Sequence, residues 1–217
     1  MHDNRLRSRL KAQPPKFSCQ LTEGLSRPLQ KLVIQMLFGV QASLDVKLGN
    51  IARSLEEEID LIKTENRLSR NLEAAELESH LSERWAGLGS RRVEANTVLC
   101  LHLSDLRKEY AQKMEGLLKV RDGSTGELHD GYWLCDITAA EVKSSEIMLV
   151  YQKLYSAEAR EFRSENVEIL AVVDLVRSHT RGRGIWVLDR GGDRGRSWSR
   201  CWSTGNAWLS APPRNVS

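Results

Sequence analysis

The hydrophobic pattern of this chain changes period near residue 92, and that change constrains the fold more than any other feature. Ahead of it, Leu29, Leu32, Val33, Met36, Leu37 and Val40 recur at three- and four-residue spacing, the stripe of a helix with one buried face. A second helix is predicted from Leu48 to about Ile59. A third is predicted from near Thr64, placed to cap its N-terminus, through Leu68, Leu72, Ala75 and Leu77 towards Leu81. Past residue 92, Thr97-Val98-Leu99-Cys100-Leu101, Gly131-Tyr132-Trp133-Leu134-Cys135-Asp136-Ile137 and Ile185-Trp186-Val187-Leu188 are short apolar runs without helical period, and these read as buried strands. Arg121–Gly126 is a turn by composition. Val167–Ser178 is a helix with Ile169, Leu170, Val173 and Val176 on one face. The expected fold class is mixed α+β, a helical N-terminal half followed by an α/β half.

The 217 residues suffice for one large domain or two small ones. The longest apolar stretch, around Leu32–Val40, is interrupted by Gln35 and is too short to span a bilayer. Residues 1–16 carry Arg5, Arg7, Arg9, Lys11 and Lys16 against Asp3. With no apolar segment directly after them they predict a flexible basic arm and no secretory signal. Cys19, Cys100, Cys135 and Cys201 lack metal-type spacing and read as thiols of a reducing compartment. A net charge of +3 permits nucleic-acid binding without arguing for it. His80, His129 and His179 have no ligand-like partner at useful spacing and receive no catalytic role.

Two strand ends carry the groups on which chemistry could rest. Ile185–Leu188 runs into Asp189-Arg190-Gly191-Gly192-Asp193, and Leu99-Cys100-Leu101 runs into His102-Leu103-Ser104-Asp105. Ligands of α/β sheets gather at such edges, and a carboxylate there suits an oxygen-ligated cation. From the residues alone, a loop-capping aspartate at Asp189 is the better reading. In the helical half, Arg53, Lys63, Arg67 and Arg70 are candidate DNA contacts over a helix-turn-helix-like unit at 46–80. Glu56, Glu57, Glu58, Asp60 and Glu65 balance them, so composition alone favours a solvated helical bundle.

Four segments in order resemble the DDE-type transposases of bacterial insertion sequences, over residues from about 20 to 196. Ile51–Leu55 with Lys63–Leu72 is similar to the family's N-terminal helices. Leu103–Ala111 resembles the segment after its first catalytic strand. Asp122-Gly123-Ser124 with Gly131-Tyr132-Trp133 is similar to the hairpin that follows, and Asp189–Asp193 resembles the second catalytic aspartate and its flank. The resemblance implies a flexible arm at 1–16, a helical DNA-binding domain at 17–92 and a partial RNase H-like core at 93–196. It implies Mg²⁺-dependent strand cleavage and transfer at double-stranded terminal inverted repeats, usually by dimers, in the bacterial cytoplasm with the nucleoid. No membrane and no small-molecule substrate are expected.

Carried over position by position, Asp189 is the second catalytic acid and metal ligand, and Arg190 beside it is a DNA contact. His102 stands where the first aspartate belongs, with Asp105 three residues on. A neutral imidazole supplies neither the charge nor the bridging oxygens of a magnesium pair. The third acid, a glutamate, is absent, since residues 195–217 contain no Asp or Glu. Codons chosen for Ser197–Trp202, read from one base earlier, spell Leu-Leu-Glu-Pro-Leu-Leu-Glu, so residues 197–217 are expected to be a disordered, out-of-frame tail. Three tryptophans, Trp198, Trp202 and Trp208, cluster there. The expected function is that of a catalytically incomplete transposase. The rivals are a non-catalytic DNA-binding protein, or inhibitor acting through DNA ends or mixed dimers, and a plain helical interaction protein.

Overall fold

The computed structural model describes residues 17–111, 113–122, 125–141, 146–188 and the backbone of Trp208–Ser210. The chain is α+β and divides into two compact units, Met1–Arg84 and Trp85–Ser217.

The first unit is helical: α1 (17–22 among the described residues), α2 (Arg27–Ser43), α3 (Leu48–Leu55), α4 (Leu61–Leu72) and the start of α5 (Ala75–Ser90). Pro28 sits in the first turn of α2, where its missing N–H is not needed. Leu44 ends the helix in the left-handed region, its N–H donating to Val40 O at 2.9 Å. The four-residue turn 44–47 then swings α3 to 95° from α2. Asp45 fixes that turn by accepting from the Lys47 N–H at 2.9 Å and from the Asn50 side chain at 2.5 Å. Those bonds hold its carboxyl below the ordinary aspartate value.

The apolar stripe of α2 buries as its spacing predicts: Leu29, Leu32 and Val33 meet Ile51, Ala52, Leu68 and Leu77 in one core. Gly39 lets α2 and α3 touch, since a Cβ there would stand 2.4 Å from Ile51 Cγ2. Three boundaries differ from expectation. The second helix stops at Leu55, because Glu56 turns left-handed. Thr64 does not cap: α4 begins at Leu61 after Asp60, and Thr64 is buried in the helix. The run expected to continue to Leu81 breaks after Leu72 and restarts as α5.

The second unit holds a six-stranded mixed sheet: β1 (Val98–Arg107), β2 (Leu118–Arg121), β3 (Leu128–Ala140), β4 (Ile147–Tyr155), β5 (Ile185–Leu188) and β6 (Trp208–Ser210), with α6 (Glu165–Thr180) between β4 and β5. β3 pairs antiparallel with β1 on one edge, and β2 and β4 take successive stretches of its other edge. β5 lies parallel to β1 on the far side, and β6 parallel to β5. Gly184, at φ +100°, lets the chain enter β5 against Leu99, and the Ile185 N–H donates to Thr97 O at 2.8 Å. The three residues of β6 fall within the tail expected to be disordered. β5's outer edge offers unpaired N–H and C=O groups, and this segment satisfies them.

The sheet has two unlike faces. Leu99, Leu101, Cys135, Ile137, Ala139, Tyr151, Trp186 and Leu188 project to one side and bury with Ile169, Val172, Val173 and Val176 of α6. The opposite row, among it Val98, Cys100, Leu134, Thr138 and Val187, is half-exposed. α6 is well delimited: Ser164 accepts from the Val167 N–H at 3.3 Å, and Arg181 turns left-handed at its end. The two compact units divide inside α5, between Arg84 and Trp85. α5 runs on to Ser90, and its later residue Ala86 joins the sheet's core, whereas Leu77 belongs to the helical one. No single helix among the described residues is long and apolar enough to cross a membrane.

Two measurements check this packing. Gly39→Ala gains about 1 kcal/mol of helix propensity but drives a methyl into the fully buried, β-branched Ile51, an overpacking cost of about 1–3 kcal/mol. The expected outcome is a net loss seen as a lower urea midpoint for the helical signal. Burial pushes the Cys135 thiol up to about 12, whereas Cys19 is exposed. At pH 8 a thiol reagent is therefore expected to label Cys19 in the native chain and Cys135 only after denaturation.

Candidate nucleic-acid interface and catalytic face

Four candidate DNA contacts lie in the helical unit, and their surroundings separate them. Glu57, in the loop between α3 and α4, ties α4 to α2. Its Oε1 accepts from Gln35 Nε2 at 2.7 Å and lies 3.2 Å from Lys31 Nζ. Its Oε2 accepts from Thr64 Oγ1 at 3.1 Å and from Arg67 Nη2 at 2.5 Å. Arg67 closes the ring by donating to Gln35 Oε1 at 2.7 Å. Burial works to raise the Glu57 pKa. The bonds from Gln35, Lys31 and Thr64, with the Arg67 charge, outweigh it and hold the carboxyl below the ordinary glutamate value.

Arg67 is thus engaged within the unit and helps orient α4, its side chain half-buried. Arg70, one turn on, is exposed. Lys63 is exposed and pairs with Asp60 at 3.0 Å. Arg53 is exposed at the end of α3, bonded to Asn50 Oδ1 at 2.8 Å. Lys63 and Arg70 share one side of α4, with Arg67 at its border held by Glu57 and Gln35. Two exposed residues of the same side, Ile62 and Asn66, escaped the sequence reading, which followed charge. Their signal is the helical wheel once the start of α4 is moved to Leu61.

On the sheet, β1 pairs with β3 over ten successive residues without a shift. Side chains therefore alternate strictly along it. His102 lies on the exposed row, the face away from α6, and Asp105, three residues on, falls on the opposite face beside Trp133. The two are not brought together. Opposite His102 stands Asp136, at the usual cross-strand Cβ separation of about 5 Å, and its Oδ1 accepts from Gln152 Nε2 at 2.8 Å. Asp136 is a residue the sequence analysis passed over. Its only signal was a carboxylate interrupting an apolar strand, and the register that makes it a neighbour of His102 is invisible in one sequence.

β5 ends at Leu188, which pairs with Leu101. Asp189 and Arg190 lie outside the described residues. Among the described residues no three of His, Cys, Asp and Glu are grouped to hold a metal ion. The donors at this face, an imidazole and one carboxylate, do not suit magnesium, which demands oxygen ligands in octahedral array. No metal-dependent step is derived for this chain.

No protein-family model matches the chain, and no curated protein sequence matches it.

The Glu57 cluster has a pH signature. Its folded pKa is lowered, so its contribution is complete above the unfolded glutamate value and fades as pH falls through the folded one. Glu57→Gln is expected to cost about 1.5–3 kcal/mol at pH 7, the range for hydrogen bonds to a charged group. Near pH 3 urea midpoints of variant and parent are expected to approach each other, whereas a constant gap contradicts the role of the charge.

Proposed function

We propose that the chain is a derivative of the DDE-type insertion-sequence transposases: it binds double-stranded DNA at element ends through its helical unit, and its sheet is an RNase H-like core with an incomplete catalytic set. The observation that carries this reading is the pairing of β1 with β5. The resemblance requires a first strand leading to the position of His102, a hairpin, a helix, and a strand leading to Asp189. The elements occur in that order, and the two strands that should converge are parallel neighbours with Leu101 beside Leu188. Two positions 87 residues apart in sequence, each picked out separately, thus follow directly on paired residues. The helical unit supports the DNA half of the reading. α2, α3 and α4 are joined by short turns, with α2 and α3 at 95°, within the geometry of helix-turn-helix units.

His102 favours occupancy over cleavage within this reading. A chain with an imidazole where the first carboxylate belongs holds ends without cutting them, and blocks an active relative by occupying its sites or by joining mixed dimers.

The test uses the full chain with duplexes from the DNA that borders its own coding sequence and a scrambled control. Gel shift is expected to give complexes whose affinity falls as salt rises and is greater for the bordering duplex. Incubation with Mg²⁺ is expected to leave both strands intact, and His102→Asp alone is expected not to restore nicking. Absence of any complex at low salt overturns the DNA reading; nicking by the parent chain overturns the incomplete catalytic set.

A further inference from the structure

The sheet face turned away from α6 is apolar over most of its width, and the DNA reading above makes no use of it. Val187, Cys100, Thr138 and Leu149 stand level with one another across β5, β1, β3 and β4. Further along the strands, Leu134 stands level with Leu154. None of the six belongs to either hydrophobic core, and Leu154 is 44% exposed. Between these two rows lies the polar one, His102 beside Asp136 beside Gln152.

The size of the face and the order of its polar row point to one occupant. Four strands about 4.8 Å apart, with β1 running from Val98 to Leu106 at about 3.3 Å per residue, outline on the order of 600 Å². That is one side of an interface at the lower end of the standard size, about 1,200 Å² in total. A two-fold axis parallel to the strands and midway between β1 and β3 lays β1 of each copy over β3 of the other, and β5 over β4. The strands are then aligned as in packed sheets, and the contact is the same from both sides. Val187 meets Leu149, Cys100 meets Thr138, and His102 of each copy comes over Asp136 of the other. Asp136 already accepts from Gln152 at 2.8 Å. Covering its carboxylate further requires another donor, which a second copy supplies as an imidazole and a purely apolar surface does not.

We propose that two copies of the chain pack back to back through this face, about a two-fold axis between β1 and β3. The contact is independent of DNA: it needs neither the helical unit nor the positions of the catalytic set beyond His102.

The test is the mass of the full chain by analytical ultracentrifugation in the absence of DNA. The parent is expected to be a dimer at micromolar concentration. Leu154→Lys and Val187→Lys are each expected to raise the dissociation constant about tenfold or more, because each places an unmet charge in the contact. Circular dichroism and melting establish that each variant is folded. A second pair of variants tests the axis itself. His102→Asp sets acids over acids in its own dimer, and Asp136→Lys sets bases over bases, so each alone is expected to be monomeric and their mixture to form a heterodimer. A parent that stays monomeric, a dimer that both lysine variants leave unchanged, or a mixture that stays monomeric overturns the proposal.

Discussion

The sheet depends on one constraint, the uninterrupted pairing of β1 with β3 on one side and β5 on the other. Ten residues in register leave no freedom in which side each faces, and a slip of one would turn Leu99 and Leu101 out of the core and His102 into it. The hydrophobic gain from burying that row under α6 therefore also fixes the position of the groups that carry chemistry. His102 lies on the other face, where α6 does not cover it. The same alternation separates His102 from Asp105: three residues along a regular strand is a change of face, and only a bulge between them would bring both to one site. The register contains none there.

The helical unit depends on an interaction of a different kind. Glu57 is a carboxylate drawn partly out of water and met by donors from α2 and α4. Such a cluster adds modest net stability, since desolvation consumes much of what the bonds return. Its larger effect is geometric. Apolar contacts of Leu68 with Leu32 and Ile51 tolerate some rotation of α4, whereas four donors converging on one carboxylate do not. The rotation so fixed determines which residues of α4 face outward. Arg67 is thereby engaged within the unit, and Arg70 is left on the surface.

Much of this was legible before any coordinates. The spacing of Leu29 to Val40 marks α2, Ile169 to Val176 marks α6, and the apolar runs at Leu99, Cys135 and Trp186 mark the three central strands, because burial on one face leaves a periodic trace. What was not legible lacks that trace. β4 escaped because the register shift at Ile137/Thr138 breaks its alternation, so that Val150 and Tyr151 are buried in succession. The end of α3 at Leu55 escaped because Glu56, not a glycine, adopts the left-handed turn. Thr64 looked like a cap because a threonine ahead of a polar run usually is one, but its hydroxyl is used by Glu57, seven residues back. The site was legible only in part for the same reason: Asp136 faces His102 across a register that no single sequence encodes.

The arrangement explains how a fold can outlast its chemistry. In the proposed reading, His102 replaces a carboxylate on the exposed row of β1, opposite the row that buries under α6. A substitution there changes donor type without making a cavity or burying an unmet charge, the two routes by which single changes unfold a domain. The outer surface of α4 belongs to a separate unit with its own core. In that reading, selection for cutting can lapse while stability and end recognition persist, and a chain that holds ends without cutting them is what the uncoupling leaves.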